Sequence, residues 1–132
     1  KQLNYPIALL GSDVEIQFLH YENESEALDK WSRRLDRVVG SNNSFFYKFC
    51  DRELATPQHI QLFEQAPLKN KVCFTSKPFS ELKSTVWIPE SEETQVVDGL
   101  SLSAISPQYF DAAAWIRGGK GEPGLLNAFH SV

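Results

Sequence analysis

The stretch "SFFYKFCDRELATPQHIQLFEQAPLKNKVCFTS", residues 44–76, decides the fold. Its first part is dense in aromatic side chains, which suit a pleated, half-buried surface and predict a strand over 44–50. Thr56-Pro57 then opens a helix, because a threonine hydroxyl can cap and proline suits the first helical position. That helix turns Ile60, Phe63 and, at its margin, Leu62 inward, and ends near Pro67. "KVCFTS", 71–76, is the next strand. Strand, helix, strand in this order is the repeating unit of an α/β sheet with parallel central strands.

Upstream, "YPIALL" (5–10) and "VEIQFLH" (14–20) are strand-like runs around Gly11-Ser12-Asp13, a hairpin pattern. In the second run Val14, Ile16, Phe18 and His20 share one face, so His20 is expected to end an apolar row. Asn23 with Glu26 three residues later resembles a capping box, and Ala27, Leu28, Trp31, Leu35 and Val38 form one stripe of a helix ended by Gly40. Such a helix would return the chain and lay strand 44–50 beside strand 14–20.

Downstream, "STVWIP" (84–89) predicts a further strand. Its short link to 71–76 argues for an antiparallel or separated edge, since parallel crossovers take a dozen residues or more. Residues 90–106 read as an acidic loop with one minor strand. "PQYFDAAAWIR" (107–117) reads as a helix with Phe110, Ala113 and Ala114 inward, ended by Gly118-Gly119. The tail is expected to tuck Leu125, Leu126 and Phe129 against the body. The expected architecture is one α/β domain over 1–132: a three-layer sheet with parallel central strands, an N-terminal hairpin and a C-terminal helix.

The 132 residues suit a single core, and no apolar run reaches the eighteen or so residues of a membrane span. No signal-peptide pattern is present, and a cytoplasmic location is expected. A net charge of −4 argues against a general nucleic-acid surface, which needs clustered Lys and Arg. Cys50 and Cys73 lie inside apolar runs without metal-ligand spacing, so they read as buried free thiols, and no metal or cofactor is expected. The chain contains no methionine and opens on Lys1, which suggests a piece of something longer.

Ligands of open parallel sheets gather beyond the carboxyl ends of the strands. Those ends carry His20-Tyr21, Asp51-Arg52-Glu53 and Thr75-Ser76-Lys77. The plain alternative is that polar residues end most strands, and that "DRE" is a solvated turn. On the first helix Asp29 and Arg33 suit an i,i+4 pair, while Arg34 falls toward the side of Ala27 and Trp31. An arginine edging into a core is paired or snorkels, or offers a fork to a carboxylate or phosphate. His59 looks like boundary filler, and His130 stands in no pattern. The run "GGKGEPG" trails a helix and lacks phosphate-loop spacing, and no GxSxG, HExxH or EF-hand pattern occurs.

Longer stretches carry a resemblance. "LHY" at 19–21 with Ala27, Lys30-Trp31, Arg34 and Arg37, the segment "PLKNKVCFTSKPFSELKSTVWIP" and the later "FDAAAWI" are similar to a bacterial family of exopolysaccharide, or capsular polysaccharide, biosynthesis proteins of unknown mechanism. The likeness runs over 3–117 and is carried by long, irregular blocks. It implies an N-terminal segment, with a strand and an Asn- and Cys-containing turn, that this chain lacks. It further implies a role on a glycan precursor, read first as that of an enzyme or enzyme half, transferase- or hydrolase-like. His20 would be the acid or base, Asp51 (or Glu53) the orienting carboxylate, and Tyr21, Arg34, Arg52, Glu53 and Lys77 substrate contacts. The rival reading is an accessory module that binds a sugar nucleotide or a partner glycosyltransferase of a polysaccharide locus; a third is a purely structural domain. A similar order of His and Arg-rich helix in a family suggested to be papain-like cysteine peptidases would make His20 a general base for a Cys outside this chain.

Overall fold

A computed structural model describes residues 4–38 and 44–118. The chain divides into two compact units, Lys1–Gly40 and Ser41–Val132. Among the described residues no helix is long and apolar enough to cross a membrane.

In the first unit β1 (Ile7–Leu10) and β2 (Val14–Gln17) form the expected antiparallel hairpin, with Ala8 opposite Ile16 and Leu10 opposite Val14. Gly11 in the turn has φ +69°, a left-handed conformation that costs glycine nothing. Helix α1 (Glu24–Leu35) follows, and the Asn23 side chain accepts the Glu26 amide at 2.9 Å. This satisfies one of the amide groups that every helix start leaves free. Its first turn is acidic and its last turn basic, which suits the helix dipole. Phe18 is buried, with Trp31 edge-on at 6.0 Å and Tyr21 at 5.7 Å between ring centres.

Three expectations for this unit are corrected. The strand ends at Gln17, because the Tyr21 amide turns back to the Phe18 carbonyl at 3.1 Å. His20 therefore sits exposed in a turn and ends no apolar row. The helix stops at Leu35, with Asp36 as its C-cap; Gly40 lies outside the described residues. Of the apolar stripe, Ala27 is buried and Trp31 half-buried, whereas Leu28, Leu35 and Val38 are exposed.

The second unit holds β3 (Phe46–Cys50), α2 (Pro57–Gln65), β4 (Asn70–Thr75) and β5 (Thr85–Trp87), and the three strands form one parallel sheet in the order β3-β4-β5. The strand–helix–strand reading of 44–76 holds. β2 pairs with β1 and not with β3, so the expected placement of strand 14–20 beside 44–50 is overturned.

Thr56 caps α2 as expected, and His59 turns out to complete the box. The Thr56 amide donates to His59 Nδ1 at 3.1 Å while the Thr56 hydroxyl oxygen accepts the His59 amide. At the other end of α2, Lys71 Nζ donates to the carbonyls of Phe63 (3.0 Å), Glu64 and Ala66 (2.8 Å). A cation on the open carbonyls of a helix end satisfies acceptors and dipole together.

Side chains alternate across the sheet. Val72, Phe74, Ile88, Val97, Leu102 and Phe110 form the core cluster, with Cys50, Val86 and Trp115 packed against it. On the opposite side Phe49 stacks on Phe63 of α2 at 5.4 Å, beside the fully buried Cys73. Ile60 is buried there, but Leu62 is exposed.

β5 runs parallel to β4, against the length argument. The link manages this without a helix because α2 holds its end. The Glu64 carboxylate accepts the amides of Lys83 (3.2 Å) and Ser84 (3.0 Å) and the Ser84 hydroxyl. Thr85 Oγ1 also donates to the carbonyls of Phe79 and Leu82, at 3.2 and 2.9 Å.

Residues 90–106 contain no strand. A 3-10 turn, Pro89–Ser91, and a short α3, Leu102–Ile105, replace it, with Val97 and Leu102 buried. Asp98 decides this locally, since its carboxylate accepts the Leu100 and Ser101 amides and the Ser101 hydroxyl. The expected C-terminal helix is the 3-10 turn Ser106–Gln108 followed by α4 (Ala112–Ile116), capped by Asp111 through the Ala114 amide at 2.8 Å. Phe110 is buried, but Ala113 is exposed. Leu125, Leu126, Phe129 and His130 lie outside the described residues.

Candidate functional site

Parallel register aligns the ends of β3 and β4, with Cys50 opposite Phe74. Four of the expected site residues therefore gather on one sheet edge: Asp51, Arg52 and Glu53 after β3, and Lys77 just after β4. They are not equivalent. Asp51 is buried, 8% exposed, and its Oδ2 accepts the Ser76 amide at 2.6 Å and the Ser76 hydroxyl at 2.7 Å. Its Oδ1 accepts the Val97 amide at 2.8 Å. A carboxylate that holds three donors inside the fold is a cross-link between segments 51, 76 and 97.

Arg52 points the other way. Its side chain is half exposed, with Nε 3.6 Å from the Glu53 carboxylate. Its guanidinium lies against Gly99 so closely that a Cβ at that position would collide with it. Beyond this contact stands Asp98, whose carboxyl is held below its usual range by the Ser101 hydroxyl first, then the Leu100 amide, with Arg52's charge as a smaller contribution. Glu53 has φ 58°, an uncommon conformation for a residue with a side chain. Lys77 is exposed, and its carbonyl accepts the Thr75 hydroxyl at 2.8 Å.

Lys48, Phe49, Cys50, Arg52 and Glu53 line a cleft of ≈ 300 Å3. Lys48 and Cys50 were not among the expected site residues. Strand alternation puts them on one face two places apart, a signal the sequence carried once β3 was known to be an edge. Cys50 is a half-buried free thiol; Cys73 is buried, and burial first, then the charge of Asp51, pushes its thiol up to about 12. Among the described residues no group of His, Cys, Asp and Glu side chains could hold a metal ion.

His20, Tyr21 and Arg34 belong to the first unit. Tyr21 is half-buried against Phe18, and His20 has no hydrogen-bond partner among the described residues. Arg34 is exposed rather than core-facing, because α1 buries only the narrow strip through Ala27.

The family model for a domain of unknown function, DUF1919, matches residues 1–117. The chain belongs to the DUF1919 family. An uncharacterized protein of Haemophilus influenzae is 39% identical over 116 residues, a match that covers 86% of this chain and 55% of that protein. The chain thus spans about half the length of the curated relative it matches. No solved structure matches the chain.

Proposed function

We propose that the chain is a binding module for an anionic glycan precursor, a phosphate-bearing sugar such as a sugar nucleotide, in bacterial surface-polysaccharide biosynthesis. The observation that carries this reading is the cleft at the carboxyl edge of the parallel sheet, with the cations Lys48 and Arg52 in its lining. A guanidinium presents paired donors that match phosphate or carboxylate, and Gly99 leaves room for it to lie flat against the loop. Lys77 adds a third cation to the same edge of the sheet. The polysaccharide context and a partner enzyme of the same locus rest on the resemblance of the long, irregular blocks described above; a three-layer arrangement and a cytoplasmic location complete the proposal. Binding is favoured over catalysis within the second unit because Asp51 spends its oxygens on Ser76 and Val97.

The test is an amide chemical-shift titration of the chain with uridine diphosphate and, in parallel, with uridine, the same nucleoside without its phosphates. Shifts confined to residues 48–53 and 98–100, present only with the phosphate compound and lost in Arg52→Gln, are expected. Shifts elsewhere, or equal responses to both compounds, would rule the cleft out.

A catalytic reading is kept alive by one feature: His20 is an exposed imidazole in a turn, unengaged by the described residues around it. In the full-length protein His20→Ala should then abolish polysaccharide production and leave the melting temperature unchanged. Unimpaired production would end that reading.

A further inference from the structure

The strands of the parallel sheet end at one edge, and each brings a different chemistry to it. Arg52 follows β3, Lys77 follows β4, and β5 ends on Trp87, in register with Thr75. Trp87 differs from the other two tryptophans of the chain. Trp31 is set edge-on to Phe18, and Trp115 packs edge-on against Phe46 and Phe110. No ring contact engages Trp87 among the described residues, and it is 40% exposed.

Its indole is nonetheless fixed. Nε1 donates to the Ser76 carbonyl at 3.2 Å, so the N–H is spent within the fold and apolar ring surface is what remains open. Ser76 is also the residue whose amide and hydroxyl hold Asp51, next to Arg52. One serine thus ties the indole on one side and the strand end that carries the guanidinium on the other. A ring already held loses little freedom when a ligand lies on it.

An aromatic face is electron-rich, and the C–H groups on the less polar side of a pyranose carry the complementary partial charge, so the two rings stack. From β3 to β5 is two strand spacings, about 10 Å, which a diphosphate and the sugar it carries can span together past the end of β4.

We propose that Trp87 is the sugar platform of this site, stacking on the pyranose of a nucleotide sugar whose phosphates are held at Arg52. The inference rests on the reading of the cleft given above, and it names the part of the ligand that lies outside that cleft. Cation and then indole, in order along the sheet edge, repeat the order of diphosphate and then pyranose in such a compound. Lys77, exposed just after β4, stands between the two.

The test follows the indole Nε1–Hε1 resonance of Trp87, assigned by its absence from Trp87→Phe, while the chain is titrated with UDP, UDP-glucose, UDP-galactose and UDP-N-acetylglucosamine. At least one nucleotide sugar is expected to displace that resonance, and UDP alone is not. The same compound should bind about tenfold more tightly than UDP, the worth of one good ring contact. Trp87→Ala should remove this advantage while leaving the Kd for UDP within about twofold, a difference that a general loss of packing would not produce. A Trp87 resonance that no nucleotide sugar moves, beside residues 48–53 that respond to UDP, overturns the platform and leaves the cleft standing. Equal weakening of UDP and nucleotide sugar in Trp87→Ala overturns it as well. A chain that ignores UDP at 48–53 ends both readings. If Trp87→Ala loses the native circular dichroism spectrum, the parent decides, and equal Kd values for UDP and all three nucleotide sugars overturn the proposal.

Discussion

Asp51 and Arg52 are neighbours in sequence and opposites in role. Position at a strand's carboxyl end marked both as candidate site residues, Asp51 as the orienting carboxylate and Arg52 as a substrate contact, and the hydrogen bonds separate them. Asp51→Ala strips three donors of their acceptor and leaves all three, the amides of Ser76 and Val97 and the Ser76 hydroxyl, buried. A loss of ~3 kcal/mol in urea unfolding is expected, since hydrogen bonds to a charged group and orphaned buried donors both count. Arg52→Ala should stay within about 0.5 kcal/mol of the parent, as surface changes do. Equal effects of the two changes would refute this division. The thiols give a second contrast. Cys50 and Cys73 sit one register step apart on adjacent strands and point to opposite faces, so no disulfide joins them. A thiol-reactive chromophore should label Cys50 in the native protein and Cys73 only after unfolding, because burial holds the latter's thiol up at about 12. Rapid native labelling of two thiols would contradict the packing described for β4.

At the scale of elements, local chemistry was the most legible part. Asn23 and Thr56 cap the helices their sequence positions announced, and Gly11 turns the hairpin. What stayed hidden were contacts made by side chains far along the chain. A length rule argued against a parallel β5, and Glu64 supplies the restraint that the rule could not foresee. Weak alternation over 96–105 suggested a strand, but Asp98 forms a turn there instead. Glu64 carries a pH signature. Burial is the largest single influence and raises its carboxyl, but hydrogen bonds from the Ser84 hydroxyl and the Ser84 and Lys83 amides, with the charge of Lys71, together outweigh it and lower the group below 4.5. A group lowered on folding stabilises the native state above its unfolded value and loses that contribution as pH falls through the folded value. The stability gap between parent and Glu64→Gln should hold constant from neutral pH down to about 4.5, then close at lower pH. A gap that widens on acidification would show that Glu64 is not the clamp.

For the whole molecule, the sequence announced a parallel strand–helix–strand unit and an N-terminal hairpin, and both are present. Periodicity could not say which strands share a sheet. β2 was assigned to the parallel sheet on the strength of its neighbouring helix, and among the described residues it pairs with β1 in a two-stranded sheet. The candidate site followed the same line. The rule of carboxyl ends picked out Asp51, Arg52, Glu53 and Lys77, which do share one sheet edge, but not Lys48 in the cleft lining, because no pattern in sequence says which strand lies at an edge. Arg34 was misplaced for a related reason: a helical stripe reports which side chains are apolar, and not whether anything covers them.

The bond between Asp51 and the Val97 amide also has a place in time. It joins residues 46 apart, whereas β3, β4 and β5 pair in sequence order through shorter connections. Closing the longer loop costs more chain entropy, so the sheet can assemble before the 97 segment is fastened to it. In stopped-flow chevrons Asp51→Ala should therefore divide its effect, the two Ser76 bonds at the sheet edge slowing the folding arm and the Val97 bond raising the unfolding arm. The Oδ1 bond to Val97 would then act as a latch on the lifetime of the native state, slowing its opening while having little part in its formation.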